Sequence, residues 1–169
     1  ELGLEAFHAL HSAQNDNDPE VALRARHLVR SMNVRWFQES DSPDAVKILR
    51  GYGEQTDGER KSRMDQLARL ENRRGVPALC RLARFETIDV LSKAAALKVM
   101  EQPAIEDAAV RDELAKSITT IVGNSKRPAA TWLRLYARTP ADPASVLPDW
   151  GAATKAEHDT MSRHPEKTS

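Results

Sequence analysis

The sequence has a single cysteine, Cys80, and this scarcity excludes an internal disulfide framework. It also excludes a zinc site built on several thiolates. Net charge is missing as well, because 25 lysines and arginines balance 25 aspartates and glutamates. A chain with no net charge has no overall field that would hold nucleic acid or an anionic membrane surface.

Aromatic residues make up only 5% of the chain, and strand-like alternation of apolar and polar residues is absent. No apolar run approaches the roughly 20 residues that a membrane-spanning helix requires. Charged residues, by contrast, make up 30% of the sequence. This composition favours an all-α protein over a β-sandwich or barrel, and 169 residues are enough for one domain with a substantial core.

The stretch 75–102 reads as two short helices in succession, and the flanking segments repeat its design. Pro77 lies in the opening turn of the first helix, where its missing N–H costs nothing because those amides lack helical partners. Apolar residues then recur at positions i, i+3, i+4 and i+7, which gathers them on one face: Val76, Leu79, Cys80 and Ala83.

The second helix of this stretch is apolar around most of its circumference. Thr87 is placed to cap its N-terminus, and Asp89 can pair with Lys93 one turn later. Only the strip that carries Asp89, Ser92, Lys93 and Lys98 favours water. We therefore expect an internal helix, and the positions predicted to be fully buried in this pair and its neighbours are Leu79, Leu91, Ala94, Leu97, Leu114 and Ile118.

Local signals mark where further helices begin and end. Acid-proline and serine-proline starts are found at Asp18-Pro19 and Ser42-Pro43, and Thr56 and Glu59 have the spacing of a capping box. Residues 2–14 and 110–122 have apolar faces, Pro128 starts another helix, and a weaker one is predicted from Pro148 to Arg163. The sequence predicts seven to eight helices in all and no sheet.

These residues carry a family resemblance. Asp18-Pro19-Glu20-Val21, followed by Arg24, Ala25 and Leu28, resembles the second helix of a HEAT repeat, and the stretch from Gly75 to Met100 resembles a further helix pair of the same armadillo-type class. Val21 and Leu91 lie two periods of about 35 residues apart. The resemblance covers about half the chain and implies a HEAT-like solenoid, a right-handed α-α superhelix with irregular repeats.

The expected organisation is a single helical-repeat domain over residues 1–163, followed by a loose tail over 164–169. Because the chain opens at Glu1 with no methionine and no apolar signal region, we interpret it as a piece of a longer protein. For the compartment we favour an exported or membrane-tethered parent protein, with the cytoplasm as the alternative.

Three residue groups could carry chemistry, and each has a simpler explanation that we favour. His8 and His11 lie one helical turn apart and could face a metal ion, but no motif supplies further ligands. Cys80 could be a nucleophile only with an activating base and some exposure, and its apolar face favours a buried role. Four carboxylates could serve acid–base catalysis: Asp18, Glu20, Asp41 and Asp44. All of them lie near helix starts, where helix capping explains their presence. The sequence thus predicts no catalytic residues, no metal site and no cofactor.

Charge is segregated along the chain in a way that suggests a partner-binding surface. Residues 60–84 contain eight basic and two acidic residues, whereas residues 86–113 contain seven acidic and three basic ones. The alternative is that adjacent helical units neutralise one another across their rims. The predicted partner-binding residues form what we call the basic ridge: Arg60, Lys61, Arg63, Arg69, Arg73, Arg74, Arg81 and Arg84.

The three tryptophans, Trp36, Trp132 and Trp150, lie near the ends of predicted segments. An exposed indole there could anchor a partner, but we favour packing that covers open ends of the helix array.

A non-catalytic protein–protein interaction or scaffold module is the function that these patterns favour, because helical arrays offer long surfaces and no catalytic group is visible. HEAT-like arrays also include bacterial DNA glycosylases, so a nucleic-acid-binding protein or glycosylase-type enzyme is the second hypothesis. The neutral total charge weighs against it. A lyase or other enzyme on the same architecture is a third, for which no matching residues are found.

Overall fold

The computed structural model of the protein describes residues 3–32, 34–140 and 143–163. The predicted tail, 164–169, lies outside them. Over the described residues the chain is all-α and contains no strand, as the composition predicted. Nine α-helices are found there, one more than the upper expectation: α1 Gly3–Ala13, α2 Pro19–Ser31, α3 Pro43–Leu49, α4 Asp57–Ala68, α5 Val76–Phe85, α6 Asp89–Met100, α7 Ala108–Val122, α8 Pro128–Arg138 and α9 Pro143–Arg163.

Three of the predicted helix starts are confirmed by their capping hydrogen bonds. The Asp18 side chain accepts from the Glu20 amide at 2.8 Å at the start of α2, and the Ser42 hydroxyl accepts from Ala45 at the start of α3. Thr56 and Glu59 form the reciprocal capping box of α4, in which the Glu59 carboxylate accepts from the Thr56 amide at 2.9 Å.

Two predicted starts are wrong. Ile88, not Thr87, occupies the N-cap of α6, and the Thr87 hydroxyl instead donates to the carboxylate of Glu86. The last helix begins at Pro143 and runs through Pro148, which was expected to start it. Pro143 is the better start because proline belongs in the first turn, whereas Pro148 only removes one backbone donor from a largely exposed helix.

The helices pack in two rows. In one row α4 contacts α6 and α6 contacts α8, and in the other α5 contacts α7; α5 pairs with α6 and α7 with α8 across the rows. At the margins α1 packs on α2 and touches α5, α3 packs on α4, and α9 packs on α8. The buried apolar side chains form a core cluster shared by α3 to α8 and joined by Trp36.

Burial in this core confirms some predicted positions and corrects others. Leu79, Leu91 and Ile118 are buried, whereas Ala94 and Leu114 are only partly buried. Leu97 is 44% exposed, so its predicted burial is wrong. Because α6 is apolar nearly all round, its sequence does not reveal which side its neighbours cover.

The covered face of α6 also includes a residue that was expected to face water. Ser92 is completely buried, and its hydroxyl donates to the Ala83 carbonyl of α5 at 2.6 Å. The small side chain lets α5 and α6 approach closely, and the hydrogen bond satisfies its only polar group. Ala95 and Ala96 are fully buried beside it.

Of the tryptophans, Trp36 is 4% exposed and packs against the rings of Tyr52 and Phe7, which confirms a packing role. Trp132 and Trp150 are partly buried, and the indole N–H of Trp150 donates to the Thr139 hydroxyl at 3.2 Å. None of the described helices combines the length and the apolar character that crossing a membrane requires.

Candidate functional site

Most of the basic ridge is used inside the protein. Arg63 donates to the backbone carbonyl of Ile48, Arg73 donates to that of Pro103 at 2.7 Å, and Arg74 lies 3.4 Å from the Asp44 carboxylate. The side chains of Lys61 and Arg69 are exposed and make no hydrogen bond or ion pair to another described residue. The eight residues therefore do not form one free surface.

Arg81, a predicted partner-binding residue, is 3% exposed. Its guanidinium donates to the carboxylate of Asp41, and the two side chains are only 4% and 2% exposed. The same carboxylate accepts from the Gln38 amide at 2.8 Å. This pair joins the loop before α3 to the middle of α5, so Arg81 cannot contact a partner without the core opening.

Arg84 bridges three elements. One of its nitrogens donates to the Ile121 carbonyl of α7 at 2.9 Å, and another donates to the Glu5 carboxylate of α1 at 3.0 Å. Its guanidinium also lies 4.5 Å from the centre of the Phe85 ring, within the range of a cation–π contact. The charge of Arg84 is thus compensated within the fold.

A second buried polar cluster is centred on Glu86, whose side chain is fully withdrawn from solvent. The Tyr52 hydroxyl donates to its carboxylate at 2.9 Å, Arg60 donates at 3.2 Å, and the Ile88 amide donates at 3.2 Å. Arg127, at the start of α8, donates to the Glu86 backbone carbonyl. The cluster connects the end of α5 to α4, α6 and α8.

The titration behaviour of this cluster follows from its burial. Burial raises the pKa of Tyr52, and the neighbouring charge of Glu86 raises it further, so the hydroxyl stays protonated and keeps donating. Burial lowers the pKa of Arg127, although Asp89 and Glu86 oppose the effect. With donors on both carboxylate oxygens, the Glu86 cluster is a structural connector.

Cys80, the candidate nucleophile, lies inside the core. Cys80 is fully buried, and burial raises the pKa of its thiol to about 12. It is therefore no accessible thiolate nucleophile.

Burial, together with the charges of Arg127, His11 and Arg84, lowers the pKa of His8. No third histidine, cysteine or carboxylate joins His8 and His11 in a metal-binding group among the residues the structure describes.

The four candidate carboxylates each have a partner within the fold. Asp18 caps α2, Glu20 pairs with Arg24 one turn later, and Asp44 pairs with Arg74. Asp41, which was interpreted as a helix-start residue, instead makes the buried pair with Arg81. The structure brings none of them together as an acid–base pair.

Sequence reasoning missed three arginines that the fold brings together and whose side chains have no partner among the described residues. Arg30, Arg35 and Arg50 line one cleft, and all three are exposed. Arg30 lies in α2, Arg35 in the following loop and Arg50 directly after α3, and they form no local run of charge, so only a correct fold brings them together. The one available signal was the shortage of nearby acids between residues 21 and 38.

Comparison with known proteins finds no family model, no curated protein and no solved structure that matches this sequence. The function therefore has to be inferred from the residues and contacts above.

Proposed function

We propose that the protein is a non-catalytic protein–protein interaction module built as a HEAT-like solenoid. The observation that carries this proposal is the two-row packing, in which α4, α6 and α8 follow one another on one side and α5 and α7 on the other. Stacked helix pairs of this kind present elongated surfaces, which is how helical-repeat proteins bind partners.

The helix pairs support a solenoid with irregular repeats. The pairs α5–α6 and α7–α8 each join two neighbouring helices, and each helix of the first pair packs on its counterpart in the second. The pair α3–α4 differs, because α3 has only seven residues and a 3₁₀ turn, Tyr52–Glu54, follows it. A right-handed superhelical sense is part of the proposal.

The buried charges also favour a binding module. Arg81 joins α5 to the loop before α3, Glu86 joins the end of α5 to α4, and Arg84 joins α5 to α7. Of the basic ridge, Lys61, Arg69 and Arg74 remain exposed, so a partner that used the ridge would meet these three.

Affinity capture from the source cells, followed by reconstitution of the captured protein with this chain from purified components, tests the proposed function. A complex of defined stoichiometry in analytical ultracentrifugation is the expected result. Binding to duplex DNA by fluorescence anisotropy, with no protein complex reconstituted, would overturn the proposal in favour of a nucleic-acid-binding protein.

A further inference from the structure

A cleft of about 610 Å³ opens between the C-terminal end of α2, residues 34–37 and the turn that follows α3. Its apolar lining includes Phe7, Trp36 and Leu49, and Trp36 and Leu49 are almost completely covered by other residues. The cleft therefore has a fixed apolar floor, because these side chains belong to the core.

The rim of this cleft carries unpaired positive charge. The guanidinium groups of Arg30, Arg35 and Arg50 make no hydrogen bond or ion pair to any residue that the structure describes. Arg60 also lines the cleft, but it is paired with Glu86. Glu54 is the one carboxylate among the described lining residues, so positive charge is in excess.

A second cleft of about 540 Å³ shares Arg35 and Phe37 with the first. It continues past Arg81 and Arg84 to the N-terminal turn of α1, and those two arginines are compensated by Asp41 and Glu5. The two clefts thus meet at Arg35 and form an elongated depression that suits an extended chain better than a compact ligand.

An acidic peptide fits these groups. Guanidinium groups bind carboxylates through paired hydrogen bonds, and three of them along one depression match carboxylates spaced along an extended peptide. Single-stranded nucleic acid fits less well, since it is bound through exposed aromatic faces on which bases stack. Of the aromatic residues in the cleft, Trp36 is only 4% exposed and Phe7 and Phe37 are partly buried, so none of them offers a fully exposed face.

We infer that the cleft lined by Arg30, Arg35 and Arg50 binds an extended acidic segment of a partner protein. This inference rests on the proposed function and adds to it the surface and the chemistry of the partner. Binding is mainly electrostatic and weakens as salt is raised, because the three guanidinium groups are exposed to solvent.

Fluorescence anisotropy with a fluorescein-labelled decaglutamate peptide tests the inference on the whole chain. The test variant is Arg30→Gln, Arg35→Gln, Arg50→Gln. The control variant, Lys116→Gln, Lys126→Gln, Lys155→Gln, removes the same charge from exposed side chains outside the cleft that have no described partner. Both variants should keep the parent's circular dichroism spectrum, since exposed substitutions of this kind rarely affect folding.

The expected result is that the peptide binds the parent and the control alike and binds the cleft variant about tenfold more weakly or worse. Equal affinities for the two variants, a larger loss in the control, or no binding by the parent would overturn the inference. If a decathymidylate probe binds the parent more tightly than decaglutamate does, and the cleft variant no longer binds it, the cleft is assigned to nucleic acid. If the cleft fails these tests while a protein complex is still reconstituted, the interaction module stands and its surface lies elsewhere.

Discussion

Arg81 of α5 and Asp41 of the loop before α3 form an ion pair with both side chains almost completely withdrawn from solvent. The carboxylate is also held by the Gln38 amide, so the loop 38–41 is fixed to the middle of the core helix. Burying two charges is costly, and the pair is tolerated only while each charge has its partner.

We expect Asp41→Asn to lower the free energy of unfolding by about 3–5 kcal/mol, because Arg81 would keep its charge in the interior without a counter-charge. Urea unfolding followed by circular dichroism measures the change. Asp44→Asn is the matched control, since its pair with Arg74 is about half exposed and should be worth under about 1 kcal/mol. A loss at Asp41 no larger than at Asp44 would contradict the buried charge pair.

A second prediction concerns the Glu86 cluster. Tyr52→Phe removes a fully buried hydroxyl that donates to a carboxylate at 2.9 Å. We expect a loss of about 1.5–3 kcal/mol in the free energy of unfolding, the range for hydrogen bonds to charged groups. Tyr136→Phe is the control, because the Tyr136 hydroxyl makes no hydrogen bond to another described residue. Equal midpoints in urea for the two variants would show that the Tyr52 hydroxyl contributes nothing.

A third prediction concerns the close approach of α4 and α5. A Cβ atom at Gly75 would lie 2.0 Å from the Leu67 carbonyl oxygen and 2.6 Å from its carbon, and backbone atoms cannot rotate away. We expect Gly75→Ala to destabilise the fold by at least about 2 kcal/mol.

Gly58, inside α4, provides the opposite case for the same substitution. A Cβ atom there meets nothing within 4 Å. Gly58→Ala should stabilise the protein by about 0.5–1 kcal/mol through helix propensity. Thermal or urea unfolding of both variants measures the two effects. A Gly75→Ala variant that is as stable as the parent, or more stable, would contradict the close approach of α4 and α5.

A fourth prediction is a pH dependence in the attachment of α9. Burial alone would lower the pKa of Lys93, but hydrogen bonds to Asp89 and Glu157 raise it above 10.5 on balance. A pKa that is raised in the folded state stabilises it below the pKa of the unfolded chain, and this stabilisation is lost as pH rises through the folded value.

We therefore expect the parent to unfold at a higher temperature than Lys93→Met between about pH 8 and pH 10, with the difference shrinking above about pH 11. Glu157→Gln should also lower the unfolding temperature between about pH 8 and pH 10, by less than Lys93→Met does. The contact matters for α9 because this helix buries little else among its described residues. A difference in unfolding temperature that stays constant up to pH 11.5 would mean that Lys93 is not titrating in this contact.

The sequence by itself determined where most helices begin and that no strand is found among the described residues. Helix starts are local, because a cap such as Asp18 binds an amide two residues away, and Thr56 and Glu59 complete their box within one turn. The apolar face of α5 could also be predicted from the helical spacing of its residues, and Leu79 is buried on that face as expected.

Only the tertiary structure decided which sides of α6 are covered and which arginines are free. Leu97 is exposed and Ser92 is buried, the reverse of what was expected, because the sequence of an almost uniformly apolar helix does not indicate which side its neighbours cover. Arg81 finds its carboxylate 40 residues away, and Glu86 finds Tyr52 34 residues away. Such partners are chosen by how the helix pairs stack, so the unpaired arginines that line the cleft, Arg30, Arg35 and Arg50, could be identified only after every internal pair had formed.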